Sequence, residues 1–299
     1  MESTSLRKTF VVTGATSGIG LAVTQQLLQH SHSVIGIGRS PERCRAQEQA
    51  LQVFCSSGAR LHMLPADLSL QSEILCLVPA IESVLLAWHA PHLDCLVNNA
   101  GTVPFWQTFT PEGFDMQWAV NHLAPFLLTL KLLPLLKRAP AGRVVTVSSG
   151  SHYGVKLKWE DIQLRRHYNP LRAYGQTKLA NVLFTVELDR RLRQDSRVRA
   201  FAADPGLVNT EIGLKSNSFL ARWAWDLRRR GGITPAESAR GIVFLATEPS
   251  IHDAADRYWK HGKPKAADPN GMNPEAASHL WKLSAQMCGL DPEQELAHA

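Results

Sequence analysis

Tyr174 and Lys178 stand four residues apart, and on a helix that spacing puts both side chains on one face. A phenol gives up its proton reluctantly near neutral pH, because its ordinary pKa is ~10. A neighbouring ammonium favours the phenolate, and a lowering of ~2 corresponds to roughly 3 kcal/mol of differential stabilisation. A tyrosine tuned in this way suits general acid–base catalysis. The spacing alone is common; its meaning comes from Asn98-Asn99-Ala100-Gly101, Asn121, Ser148-Ser149 and Pro205-Gly206 along the same chain.

Near the N-terminus, Thr13-Gly14-Ala15-Thr16-Ser17-Gly18-Ile19-Gly20 follows an apolar strand-like run and leads into a helical pattern. Glycines between a strand and a helix let backbone approach a pyrophosphate, whose charge meets the helix N-terminus. The second strand ends at Gly38-Arg39-Ser40, with no carboxylate before Glu42. An acidic residue there would bind the ribose hydroxyls of NAD, whereas an arginine accommodates the 2′-phosphate of NADP. Arg39 and Ser40 therefore point to NADP(H).

Elements of alternating type must position these residues. Phe10 to Val12, Val34-Ile35, Leu61 to Leu64, Leu93 to Val97, Val144 to Val147 and Val198 to Ala203 read as strands. Most are continuously apolar, as parallel strands buried on both faces are. Helical patterns over Leu21 to His30, Phe114 to Lys137 and Tyr174 to Arg193 lie between them. Leu179, Val182, Leu183 and Val186 form a core-facing stripe on the last of these. The alternation predicts an α/β fold, a doubly wound parallel sheet of Rossmann type with ligands along the strand C-termini. We read one domain over 1–299: a core over 8–206, a small rim lobe over 207–234 covering the substrate site, and a C-terminal extension over 260–299.

The 299 residues carry a net charge of +6 in a dispersed pattern, with Arg228 to Arg230 the densest cluster, which does not suggest nucleic-acid binding. Five widely spaced cysteines form no C-x-x-C pair, so neither a metal site nor a disulfide framework is expected. A reducing intracellular compartment is the simplest expectation. No signal peptide is expected before the first strand, and the most apolar stretch noted, Ile74 to Trp88, is too short to span a bilayer.

As an ordered set these motifs resemble the short-chain dehydrogenase/reductase family, over roughly Lys8 to Trp259. The resemblance implies an NADP(H)-dependent oxidoreductase acting on CH–OH and C=O groups. By it, Tyr174 is the acid/base and Lys178 also binds the nicotinamide ribose. Ser149, or its neighbour Ser148, holds the substrate oxygen, and Asn121 positions a water in the proton relay. The implied cofactor residues are Gly14, Thr16, Ser17, Gly18, Ile19, Gly20, Arg39, Ser40, Asp67, Leu68, Asn98, Ala100, Gly101, Tyr174, Lys178, Pro205, Gly206 and Thr210. Asp204 departs from the histidine or asparagine expected before Pro-Gly. Equivalent helices in the family often form a homodimer interface.

Asn121 to Leu128, Lys178 to Asn181 and the 24 residues Gly150 to Ala173 look like the retinol dehydrogenase-like branch. That implies a small lipophilic substrate, a retinoid-like or other aldehyde, ketone or alcohol. Phe219, Leu220, Trp223 and Leu227 share one helical face, which reads equally as a lid, a peripheral membrane contact or ordinary packing. His152, Tyr153 and Trp159 could line the pocket, with surface-loop residues the default reading. A light-dependent protochlorophyllide reductase is a rival sharing the Tyr–Lys pair, and a non-catalytic nucleotide-sensing scaffold is a rival of another class. The intact Ser149–Tyr174–Lys178 set argues against the latter.

Overall fold

Five of the sheet strands are buried along their whole length: β1 (Thr9–Thr13), β2 (Ser33–Gly38), β4 (Cys95–Asn98), β5 (Arg143–Val147) and β6 (Arg199–Asp204). Such strands need cover on both faces, which a parallel sheet with helical crossovers provides. With β3 (Leu61–Pro65), β7 (Tyr258–Lys260) and β8 (Lys263–Pro264) they form one sheet ordered β3-β2-β1-β4-β5-β6-β7-β8. Every pairing is parallel except β7 with β8. Strand order reverses between β1 and β4, and a crevice opens at such a switch point. The computed structural model describes residues 7–55, 58–194, 196–208, 232–291 and 296. Thr210 and the helical pattern expected over 219–230 lie outside the described residues.

The helices are α1 (Gly18–Gln29), α2 (Pro41–Leu51), α3 (Gln71–Ala87), α4 (Met116–Trp118), α5 (Ala124–Lys137), α6 (Pro170–Leu192), α7 (Pro235–Thr247) and α8 (Pro274–Met287). Strand side chains alternate between faces. Phe10 and Val12 pack with α1 and α7, while Val11 packs with α3, α5 and α6. Four helices start alike. Ser40-Pro41, Asn169-Pro170, Thr234-Pro235 and Asn273-Pro274 each pair a capping side chain with proline at the first helical position.

Those starts correct the sequence expectation. The helix expected from Tyr174 begins at Pro170, because Asn169 Oδ1 accepts from the N–H groups of Leu171 and Arg172. The single helix expected over Phe114 to Lys137 is divided, with a π-helical turn at Ala119–Leu123 between α4 and α5. The stretch Met116–Lys137 is apolar and long enough to cross a membrane, with mean hydropathy 1.5, but it is mostly buried inside the fold. The C-terminal extension builds the 14-residue α8. Trp281 of α8 is buried, with ring centroids 5.1 Å from Phe126 and 6.1 Å from Phe184, and the Arg191 guanidinium 4.8 Å above it.

Trp281→Ala should therefore lower unfolding stability by about 3–5 kcal/mol, the usual cost of emptying a packed indole site. Urea denaturation monitored by circular dichroism measures this; a loss below ~1 kcal/mol would contradict α8 as part of the core.

Candidate active site

The C-terminal ends of β1, β4, β5 and β6 open on a cavity of about 840 Å³. Its floor is the glycine turn. Gly14 (φ +69°) and Gly18 (φ +55°) occupy the left-handed region that favours glycine. A Cβ on Gly20 would lie 2.3 Å from the Gly14 carbonyl oxygen, so that turn closes only on a residue without a side chain. Thr13 Oγ1 accepts from the N–H groups of Asn99 and Ala100, each at 2.9 Å, tying the end of β4 to the end of β1. Ser17 makes no side-chain cap bond to α1, and the first turn of α1 holds no acidic residue. The backbone donors there remain available to an anion. This arrangement fits the pyrophosphate of a dinucleotide.

Beside the cavity, Tyr174 and Lys178 project from α6, with Lys178 Nζ 5.4 Å from the Tyr174 ring centroid. Nζ donates to the Val147 carbonyl oxygen at 2.9 Å. The two serines after β5 diverge. Ser148 is buried and donates to the Lys178 carbonyl at 2.8 Å, whereas Ser149 is half-buried and accepts from Ser151 N–H at 3.2 Å. Asn121 lies in the π-helical turn, a feature frequent at functional sites. Its Oδ1 accepts from Thr102 N–H at 2.7 Å, and its Nδ2 donates to the Thr102 carbonyl at 2.9 Å and to Thr177 Oγ1 at 3.2 Å. Gly101 separates Asn121 from Lys178: a Cβ there would sit 3.5 Å from Asn121 Oδ1 and 3.9 Å from Lys178 Nζ.

The remaining expected residues divide. Gly14, Thr16, Ser17, Gly18, Ile19, Ala100, Gly101, Pro205 and Gly206 line the cavity. Gly20 acts from behind, through the turn. Arg39 is exposed and outside the lining, whereas Arg43, in the first turn of α2, lines the cavity. Ser40 caps α2 and donates to Glu42 at 2.7 Å. Asp67 is outside the lining, its Oδ1 accepting from Ser69 N–H, and Leu68 belongs to the core. Asn98 is buried away from the cavity and donates to Thr129 Oγ1, while Asn99 lines it. Asn99 lies within the Asn98 to Gly101 motif, and Arg43 carries the same charge as Arg39 about one helical turn further on.

Asp204 also lines the cavity. Its Oδ1 accepts from Gly206 N–H at 3.0 Å and its Oδ2 from the Tyr258 hydroxyl at 2.8 Å, with Lys265 Nζ 3.8 Å away. The carboxylate thus fixes the Pro205-Gly206 turn. Tyr153 is exposed and lines the cavity, the Trp159 ring packs on His279 at 4.4 Å, and His152 is fully buried, which corrects the surface-loop expectation for His152.

The short chain dehydrogenase family model matches residues 8–220. The chain belongs to this family. It is 36% identical over 294 residues to mouse retinol dehydrogenase 14, covering 95% of this chain and 86% of that one. A solved Mycobacterium paratuberculosis protein of uncharacterised function superposes with a TM-score of 0.70 at 29% identity, over 95% and 94% of the two chains. A metagenomic short-chain oxidoreductase solved with NADP superposes with a TM-score of 0.62 at 26% identity, over 87% and 98%.

In this short-chain dehydrogenase the lysine is electrostatically costly. Burial pushes the Lys178 ammonium from its ordinary 10.5 down to about 8. Between those values the unfolded chain holds more protons than the folded one, so the contribution of Lys178 improves as pH rises through that window and is least favourable below it. A displacement of that size is on the order of 3 kcal/mol, against which loss of the bond to Val147 weighs about 1 kcal/mol. Lys178→Met should raise the Tm of the ligand-free protein by a few degrees at pH 7, and the gain should shrink at pH 10. Scanning calorimetry at both pH values decides it; a variant destabilised at pH 7 would count against a burial cost.

Proposed function

We propose that the protein is an NADP(H)-dependent oxidoreductase interconverting a lipophilic carbonyl compound and its alcohol, with Tyr174 as the acid/base. The observation carrying this reading is that Tyr174, Lys178, Ser149 and the glycine turn share one cavity beside an uncapped helix N-terminus. When bound, the cofactor supplies or accepts the hydride. Gly14 to Ile19 and the α1 N-terminus hold its pyrophosphate, and Arg43 meets the 2′-phosphate. Asn99 holds the β1–β4 floor by donating to the Thr13 carbonyl at 2.9 Å.

Ser149 orients the substrate oxygen, and the Tyr174 hydroxyl gives it a proton in reduction or takes one in oxidation. The Lys178 ammonium, held by Val147, favours the phenolate that remains. Asn121, fixed through Thr102, holds the route by which the tyrosine is reprotonated. Leu171, Leu207 and Val208 add apolar wall to the cavity, which favours a lipophilic substrate.

Two measurements test this. NADPH should bind more tightly than NADH, and Arg43→Ala should narrow the gap about tenfold, as loss of a hydrogen bond to a charged group does; Arg39→Ala should leave it nearly unchanged. An equal or reversed preference in the unaltered protein overturns the cofactor assignment. On a panel of aldehydes, ketones and alcohols, Tyr174→Phe should lower kcat by roughly 10²–10⁴-fold with NADPH affinity retained. Turnover surviving that substitution removes Tyr174 from the proton step, and binding without turnover by the unaltered protein supports the sensor instead.

A further inference from the structure

We propose that the C-terminal segment from Tyr258 to Met287 is a working part of the active site, with His152 and His122 as positioning residues through which it fixes Ser149 and Asn121. The inference rests on the roles given to Ser149 and Asn121 above. Neither histidine lines the cavity among the described residues, so each acts through its neighbour.

His152 lies three residues beyond Ser149 and is fully buried. Its Nδ1 donates to the Ser149 carbonyl oxygen at 2.7 Å, and its Nε2 accepts from Asp268 N–H at 3.1 Å. Those bonds require a neutral ring with the proton on Nδ1, since a charged ring would set Nε2–H against the Asp268 N–H. Burial lowers its pKa, which agrees. The rings of Tyr153 and Tyr258 pack on it at 4.2 and 4.8 Å. The carboxylates of Asp204 and Asp268 and the ammonium of Lys265 complete the charged surroundings.

The loop between Ser149 and α6 has little regularity of its own, two short 3₁₀ turns at Gly150–His152 and Trp159–Asp161. The C-terminal segment holds it at further points. The Tyr153 hydroxyl donates to the Ala266 carbonyl, Gly154 N–H to Asp268 Oδ2 at 2.7 Å, and Asn270 Nδ2 to the Val155 carbonyl at 3.1 Å. Ser149 is thus placed by residues more than a hundred positions away in sequence.

Asn121 is held in the same manner. A π-helical turn departs from the ordinary ladder and is frequent at functional sites. The next residue, His122, is fully buried with Nε2 2.7 Å from Ser284 Oγ of α8, and the Trp118 indole N–H donates to Met287 Sδ at 3.4 Å. The residue before the turn and one within it therefore rest on α8.

The experiment compares His152→Asn, His152→Gln and His152→Phe with the unaltered full chain. Asparagine keeps a donor where Nδ1 stood, glutamine reaches only toward Asp268, and phenylalanine keeps the ring and neither bond. The readouts are carbonyl reduction with NADPH, NADPH affinity by fluorescence, and amide hydrogen exchange over residues 148–155. His152→Phe should lose about 10- to 100-fold in kcat, the scale of a small misplacement of a reacting group. Its KM and NADPH affinity should change less than about twofold, and exchange over 148–155 should accelerate. His152→Asn should recover most of the kcat and His152→Gln should not. Ser284→Ala should likewise lower kcat more than it changes KM, with Ser284→Thr restoring it.

Unchanged exchange and unchanged kcat in a folded His152→Phe protein overturn the proposal, as does an asparagine variant no better than the glutamine one. If the phenylalanine variant does not fold, the asparagine–glutamine comparison decides alone. An unaltered protein that binds NADPH but reduces nothing refutes the assigned activity; exchange over 148–155 then still decides whether the clamp exists.

Discussion

Lys178 sets the terms for the rest of this structure. Its ammonium is buried and finds the Val147 carbonyl oxygen at the end of β5. A buried charge is tolerated only where its partner is fixed, so α6 must dock on β5 in one register. Two further bonds enforce that register: Ser148 Oγ to the Lys178 carbonyl, and Asn181 Nδ2 to the same Val147 oxygen at 3.3 Å. The apolar side chains of α6 supply the affinity for the sheet, and these polar contacts supply the placement.

The cofactor side obeys a constraint of close approach. Gly14 and Gly20 permit the chain to fold back on itself, and Thr13 and Asn99 lock β1 against β4 beneath the turn. The resulting floor brings the turn and the N-terminus of α1 to the cavity, with Thr16, Ser17 and Asn99 in its lining. Asp204 plays the corresponding part on the far wall, where its carboxylate holds Gly206, Tyr258 and Lys265 around the Pro-Gly turn.

The C-terminal segment joins both sides. Trp281 completes the aromatic core beneath α5 and α6, and residues of the same segment bond to the loops that carry Ser149 and Asn121. Core packing and site geometry therefore share one element, so changes in that element reach both.

Much of this was legible in the residues alone. The strand runs, the glycine turn, the Tyr174–Lys178 spacing and the Asn121 and Ser148-Ser149 motifs are local patterns, and their order specifies a doubly wound sheet with a site on its rim. Sequence left Ser148 and Ser149 open, and both line the cavity; it favoured Asn98 and Arg39, whereas Asn99 and Arg43 are the residues that line it. A shift of one residue at a strand end turns the side chain to the other face, so only the packed sheet decides. Nor does any local pattern relate His152 to Asp268 or His122 to Ser284, because those bonds join residues more than a hundred apart. Sequence determined the chemistry available to the site. Tertiary structure decided which side chains face the cavity, and that the chain's distant end bonds to the loops that carry the site.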